Sequence, residues 1–189
     1  MNSLFANLPQ PRWRGLIFSV LFGWTAVHAA TPVADIKTID RPDFSLDYPA
    51  SWREDTTGDG YDKDKNFVLN SPQQSYVQFI IGDAGDPEKL LHEQLGLIDG
   101  PTITADSKLA IAKWGHFPGV GMRLKGKILD SFPGGIEVFV FEGGHHSVTV
   151  IEYYLSSELK DAIKDMQLIS DSFKIKNDTE KGADAGAAP

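Results

Sequence analysis

Residues 136–155 constrain this chain most. Ile136-Glu-Val-Phe-Val-Phe-Glu142 runs into Gly143-Gly144 and then into His145 through Leu155. Two apolar runs about a Gly-Gly loop predict an antiparallel hairpin with a primed turn, since glycine accepts positive φ at both central positions. With Gly143-Gly144 as that loop, Phe139 is expected opposite Val148 and Phe141 opposite His146 on one side. Val138 with Thr149, and Ile136 with Ile151, are expected on the other.

More strand signals precede the hairpin. Phe44-Ser-Leu-Asp-Tyr48 alternates apolar and polar residues and is ended by Pro49. Phe67-Val-Leu-Asn70 and Tyr76-Val-Gln-Phe-Ile-Ile81 flank a Ser71-Pro72-Gln73-Gln74 turn. Leu109, Ile111 and Lys113 alternate with Ala110, Ala112 and Trp114 in a fourth strand. Val120, Met122, Leu124, Gly126 and Ile128 form the apolar side of a fifth, whose other side carries Arg123, Lys125 and Lys127.

Two helices interrupt the strands. Asp86 caps the first, Pro87 takes its first position, and Leu90, Leu91, Leu95 and Ile98 share a face. Ser157 is expected to cap the second, with Leu159, Ala162, Ile163, Met166 and Ile169 as its buried stripe. A short strand, Ser172-Phe-Lys-Ile175, follows. Strand runs with two separated helices predict an α+β domain, an antiparallel sheet packed by helices.

The ends read differently. Arg12 and Arg14, an apolar run from Gly15 to Trp24, and small residues at Ala26-Val-His-Ala29-Ala30 have the order of a secretory signal peptide. The apolar run is shorter than the roughly 20 residues a membrane span needs. Cleavage after Ala29 fits, with Val27 and Ala29 at the minus-three and minus-one places. The expected organisation is a signal peptide at 1–29, a polar lead-in at 30–42, one domain at 43–176 and a disordered tail at 177–189. The expected destination is the periplasm or the exterior. The mature chain would have no membrane span and would be a monomer.

Composition removes several classes of chemistry. The 189 residues include no Cys, so there is no disulfide scaffold, Cys-ligated zinc, iron–sulfur cluster or thiolate nucleophile. Loss of Arg12 and Arg14 leaves 16 basic against 26 acidic residues, the opposite of a nucleic-acid footprint. No Gly-x-Ser-x-Gly elbow or Gly-rich phosphate loop with its Lys occurs. His92-Glu93 begins like a metalloprotease motif, but Gly96 stands where the second His belongs. His145 and His146 are adjacent on a strand and so point to opposite faces.

Phe44-Ser-Leu-Asp-Tyr-Pro49 followed by Trp52 resembles the opening of the PsbP family. Ile169-Ser-Asp-Ser-Phe-Lys-Ile175 is similar to that family's closing helix and strand. The likeness spans residues 44–175. It implies one α+β fold with a central antiparallel sheet between helices. Plant and cyanobacterial members are extrinsic photosystem II subunits that help it hold calcium and chloride. A nuclear import factor of the same fold binds the GTPase Ran, and cytoplasmic relatives are chaperones for secretion effectors. The resemblance thus implies holding another protein. This chain departs from the photosynthetic members in carrying a general secretory leader.

Two stretches are candidate sites. Asp55-Thr-Thr-Gly-Asp59-Gly60-Tyr61 places oxygen donors at Asp55, Thr57 and Asp59, a Gly at the sixth position and the Tyr61 carbonyl at the seventh. That is the first half of a calcium loop. The second half departs from the pattern, because Asn66 stands where a bidentate Glu belongs. Arg123, Lys125 and Lys127 put three positive charges on one strand face of an acidic domain, a docking patch for an acidic partner. Trp52 and Trp114 are expected in the core.

The expectation is a non-enzymatic exported accessory protein without a cofactor, acting by contact with another protein. The alternatives are a calcium- or small-ligand-binding periplasmic module, and an immunity protein against an exported toxin.

Overall fold

The computed structural model describes residues 35–176. The signal peptide, its cleavage site, residues 30–34 and the tail at 177–189 lie outside the described residues. The first strand, β1 (Ile36–Asp40), falls within the stretch expected to be a polar lead-in. It pairs antiparallel with β2 (Phe44–Pro49) and buries Ile39. Next come β3 (Arg53–Asp55), β4 (Asn66–Asn70), β5 (Tyr76–Asp83) and α1 (Pro87–Ile98). They are followed by β6 (Ile103–Trp114), β7 (Phe117–Ile128), β8 (Phe132–Gly143), β9 (His146–Leu155), α2 (Leu159–Ser172) and β10 (Lys174–Ile175). Seven strands form one antiparallel sheet in the order β3-β4-β5-β9-β8-β7-β6; β1, β2 and β10 form a small sheet with β2 at its centre. The architecture is α+β, as expected.

The large sheet is apolar on both faces. Val138, Val140 and Ile136 of β8, Leu124 and Ile128 of β7, and Ile151 of β9 meet Leu91 and Ile98 of α1 on one face. On the other, Phe67, Phe79, Phe139, Phe141 and Val150 meet the small sheet and α2. Burial on both sides is what the β8–β9 alternation requires.

The hairpin register differs from expectation by two residues. Gly143 pairs with His146, Phe141 with Val148 and Phe139 with Val150. The turn is therefore Gly144-His145. Gly144 has φ +62° and His145 is not at positive φ, the demand of a type II′ turn. Gly143 instead lies in β8, where a Cβ would be 1.7 Å from the Ile175 Cδ1 methyl and would have to displace it. The shift keeps every side chain on its expected face, because an even slip preserves the two-residue period.

β6 departs further. Register shifts between Ala105 and Ser107 and between Ile111 and Lys113 turn the strand over twice. Ile103 packs toward α1, whereas Ile111 and Trp114 both join the α2-side core. The uninterrupted alternation expected for residues 109–114 had placed Ile111 and Trp114 on opposite faces.

Asp86 and Pro87 begin α1 as expected, with the Asp86 side chain accepting from Glu88 N. The N-cap of α2 is Glu158, not Ser157. The Glu158 carboxylate instead accepts from Gln74 N and Ser75 Oγ and ties the helix start to the β4–β5 turn. The helix also runs through Ser172, which shortens the expected final strand to Lys174–Ile175. Trp52 and Trp114 are buried, as expected.

Candidate functional site

β7, β8 and β9 lie side by side, and their α2-side residues form rungs across the sheet. One rung is charged throughout: Arg123 opposite Glu137, and Glu137 opposite Glu152. The next carries Lys125, Gly135 and Tyr154. Arg123 donates from Nε to Glu137 Oε1 and from Nη2 to Glu137 Oε2, the latter at 3.1 Å. This two-point contact raises the pKa of Arg123. Arg123 is therefore not an open docking charge; it is half of an ion pair. Lys125 and Lys127 are exposed, as a docking patch needs.

Glu152 has a different partner. Trp114 Nε1 donates to its Oε1 at 2.7 Å. Neighbouring residues crowd the carboxyl, and burial pushes its pKa up to about 7 against the opposing effect of that hydrogen bond. The Glu137 charge raises it further and Arg123 lowers it. The residue is not sealed off, since it is only partly buried and its remaining surface lines a cleft.

That cleft has a volume of about 290 Å³. Its floor is the two rungs; Lys113, Trp114 and Gly115 flank it, and α2 overhangs it with Ile163, Met166, Gln167 and Ser170. Two glycines shape it. A Cβ at Gly135 would sit 2.4 Å from Tyr154 Oη, so this position is what lets the Tyr154 ring lie flat on the floor. Gly115, at φ +53°, lets the β6–β7 turn come against α2, where a Cβ would be 2.3 Å from Ser170 O. Ile163, expected in the buried stripe, is 50% exposed. It overhangs the cleft instead of packing on the sheet.

The calcium-like loop folds as linked turns. Asp55 Oδ1 accepts from Thr57 N at 2.9 Å and from Thr57 Oγ1 at 2.7 Å. These bonds, the backbone one foremost, lower the Asp55 pKa. Tyr61 N donates to Gly58 O, and the Tyr61 hydroxyl donates to Glu54 Oε1. Asn66 Nδ2 donates to Gly60 O, closing the loop where a calcium loop has its last ligand. The structure thus brings Asp55 and Thr57 together. Among the described residues, no group of three or more His, Cys, Asp or Glu side chains converges as a metal site would. A cavity of about 570 Å³ beside this loop is lined by Ser51, Arg53, Glu54, Asp55, Asn70, Ser71 and Pro72. At the hairpin tip, His146 Nε2 lies 4.0 Å from Asp43 Oδ2.

Sequence reasoning found Arg123 and Lys125 but missed Glu137, Glu152 and Tyr154 as parts of one site. The available signal was Val148-x-Val150-x-Glu152-x-Tyr154, an acid within an apolar strand face. Among the described residues, no helix is long and apolar enough to cross a membrane.

No family model and no curated protein matches the sequence. Solved structures do match in fold. The Ran-binding protein Mog1p of Saccharomyces cerevisiae superposes with a TM-score of 0.51 at 11% identity, over 77% of this chain and 98% of that one. A protein from Bacteroides thetaiotaomicron gives 0.50 at 13% identity, over 76% of this chain and 49% of that one. Cyanobacterial PsbP from Synechocystis sp. PCC 6803 gives 0.49 at 12% identity, over 77% and 95%.

Proposed function

We propose, from the premise that this chain has the PsbP-like fold, that it is an exported, non-enzymatic accessory protein that holds a partner protein. The contact is made at the cleft beneath α2 by an acidic segment of that partner. The observation that carries this reading is the charge around the cleft. Lys113 and Lys125 line it and are both exposed, while Arg123 is balanced by Glu137. A local positive site on a chain with an acidic excess steers an acidic partner to one place. The basic, apolar and small residues from Arg12 to Ala30 support export. Mog1p, of the same fold, is a Ran-binding protein, which supports protein binding by analogy of fold alone.

The test is charge reversal at the cleft. A partner is captured from the periplasmic fraction with wild-type chain, and its association is then followed at several salt concentrations. The double variant Lys113→Glu/Lys125→Glu is expected to slow association at least about tenfold at low salt, with the difference fading at high salt. Lys127→Glu, outside the cleft lining, is expected to do much less. Equal association by wild type and the double variant at low salt overturns the reading.

A further inference from the structure

Glu152 is the group that partner docking leaves unused. An indole N–H can only donate, so Trp114 holds Glu152 Oε1 as an acceptor. When Glu152 is neutral its proton therefore sits on Oε2. The groups facing it are few. β6 brings Lys113; β7 brings Arg123 and Lys125; β8 brings Glu137; β9 brings Tyr154. The α2 residues over the cleft carry no charge, and the lining has no histidine. Arg123 and Glu137 neutralise each other. The pKa values of Arg123 and Tyr154 are both raised, further from neutral pH.

The charge of the cleft therefore turns on Glu152. With Glu152 neutral, Lys113 and Lys125 leave the lining doubly positive around a hydrogen-bond donor. With Glu152 ionised, a negative charge sits on the floor at the β9 end of the charged rung and repels any anion placed there.

We propose that this cleft is a carboxylate site that binds its ligand together with one proton. Glu152 donates from Oε2 to the ligand carboxylate, and Lys113 and Lys125 supply the balancing charge. The inference rests on reading the cleft as the docking point for an acidic segment, and it names the group that segment inserts. A carboxylic acid bonded to a carboxylate is a short, charge-assisted hydrogen bond, and two carboxyls in one site share a single proton. Above neutral pH that proton must be taken from solvent, and affinity falls as it becomes scarce. Because Glu152 titrates at about 7, the ligand is expected to bind about tenfold more weakly at pH 8 than at pH 6.

The full-length chain is titrated with two probes at pH 6 and pH 8, at fixed ionic strength. N-acetyl-triglutamyl amide represents a protein segment and succinate a free small carboxylate; each keeps at least one ionised carboxylate across this range, and the peptide, ionised throughout, carries the comparison between pH values. The readout is the Trp114 indole N–H resonance, which reports directly on Glu152. The expected result is binding with a tenfold loss from pH 6 to pH 8. Glu152→Gln keeps the acceptor for Trp114 and puts a permanent donor where the proton was. It is expected to bind the probe equally at both pH values, at the wild-type pH 6 affinity. Wild-type affinity that is equal at pH 6 and pH 8, or a Gln variant that keeps the tenfold loss, overturns the proton coupling. Peptide binding that ignores pH but is lost in Lys113→Glu/Lys125→Glu leaves the docking reading standing and removes this inference. Peptide binding unaffected by the double variant removes the docking reading. Succinate binding without peptide binding supports the carboxylate site and assigns it to a small molecule. Binding of neither probe at either pH overturns the site.

Discussion

The two faces of the seven-stranded sheet are built from the same strands and do different things. Under α1 the buried contacts are aliphatic, with one stacked Tyr76–Tyr153 pair packed at their margin: Ile103, Leu124, Ile128, Ile136, Val138 and Val140 meet Leu91 and Ile98. Under α2 they are aromatic. Phe44, Phe67 and Phe79 stack with centroids 5.3 and 4.8 Å apart, and Phe173 closes on Phe44 and Phe79 at 5.8 and 5.3 Å. Branched aliphatic side chains fill space without directional demands, and the α1 face closes on itself. Flat rings stack in layers and reach from the large sheet to the small one, but they do not fill the corner over β7 and β8. There the charged rung and Tyr154 take over, and the face stays open as a cleft. A sheet thus acquires a site by failing to finish one of its two cores.

The largest test of this contrast is at Phe173, which is fully buried and meets Phe44, Phe79, Trp114, Phe117 and Phe141. Phe173→Ala is expected to cost about 3–5 kcal/mol in urea unfolding, because rings held by one another cannot collapse into the gap. A loss below about 1 kcal/mol would mean that the aromatic core repacks as freely as an aliphatic one.

The second test acts on the polar part of that face. Glu152 has its folded pKa at about 7, above the ordinary 4.5. Between those values the folded state holds the extra proton, so stability falls as pH rises from about 4.5 to 7 and levels off above. Glu152→Gln removes the charge that burial opposes. It is expected to stabilise the protein at pH 8 by up to about 3 kcal/mol and to change little near pH 4.5. Thermal unfolding of both proteins across pH 4–8 measures this. A variant less stable than wild type at pH 8 would show that the ionised carboxylate is well solvated or paired.

The smallest effect belongs to the α1 face. Asp86→Ala removes the side-chain acceptor for Glu88 N at the helix start. It is expected to cost about 1 kcal/mol at any pH between 6 and 8, and to leave the Trp114 indole resonance unmoved. A shift of that resonance would mean that the two faces are coupled through the sheet.

Much of this was legible in the chain itself. The period-two pattern of Phe44–Tyr48, Tyr76–Ile81 and Ile136–Leu155, and the Asp86-Pro87 helix start, follow from local backbone chemistry and need no distant partner. The aromatic opening at Phe44 and the closing Phe173 carried the PsbP-like resemblance, and both residues lie in the aromatic core. β1 was hidden because Ile36-Lys-Thr-Ile-Asp40 buries only Ile39, and its pairing with β2 supplies the rest.

The candidate site was legible only in fragments. Arg123 and Lys125 stood out as charges on a strand, but Glu137 and Glu152 are 14 and 29 positions away from Arg123 along the chain. Strand order and register put them on one rung, and the register differs by two residues from the one the Gly143-Gly144 pair implies. Gly143 fits a turn pattern, yet it lies in β8 under the Ile175 Cδ1 methyl, which a side chain there would have to displace. Trp114 reached Glu152 only through bulges in β6 that no local pattern announces. The sequence by itself determined which segments are strands and helices and which faces are apolar, because those depend on neighbours a few residues apart. Only the tertiary structure decided which charge meets which, and therefore that Arg123 is paired, that Glu152 is enclosed, and that the cleft between them exists. Those outcomes depend on distances between strands, which the order of residues along one strand does not contain.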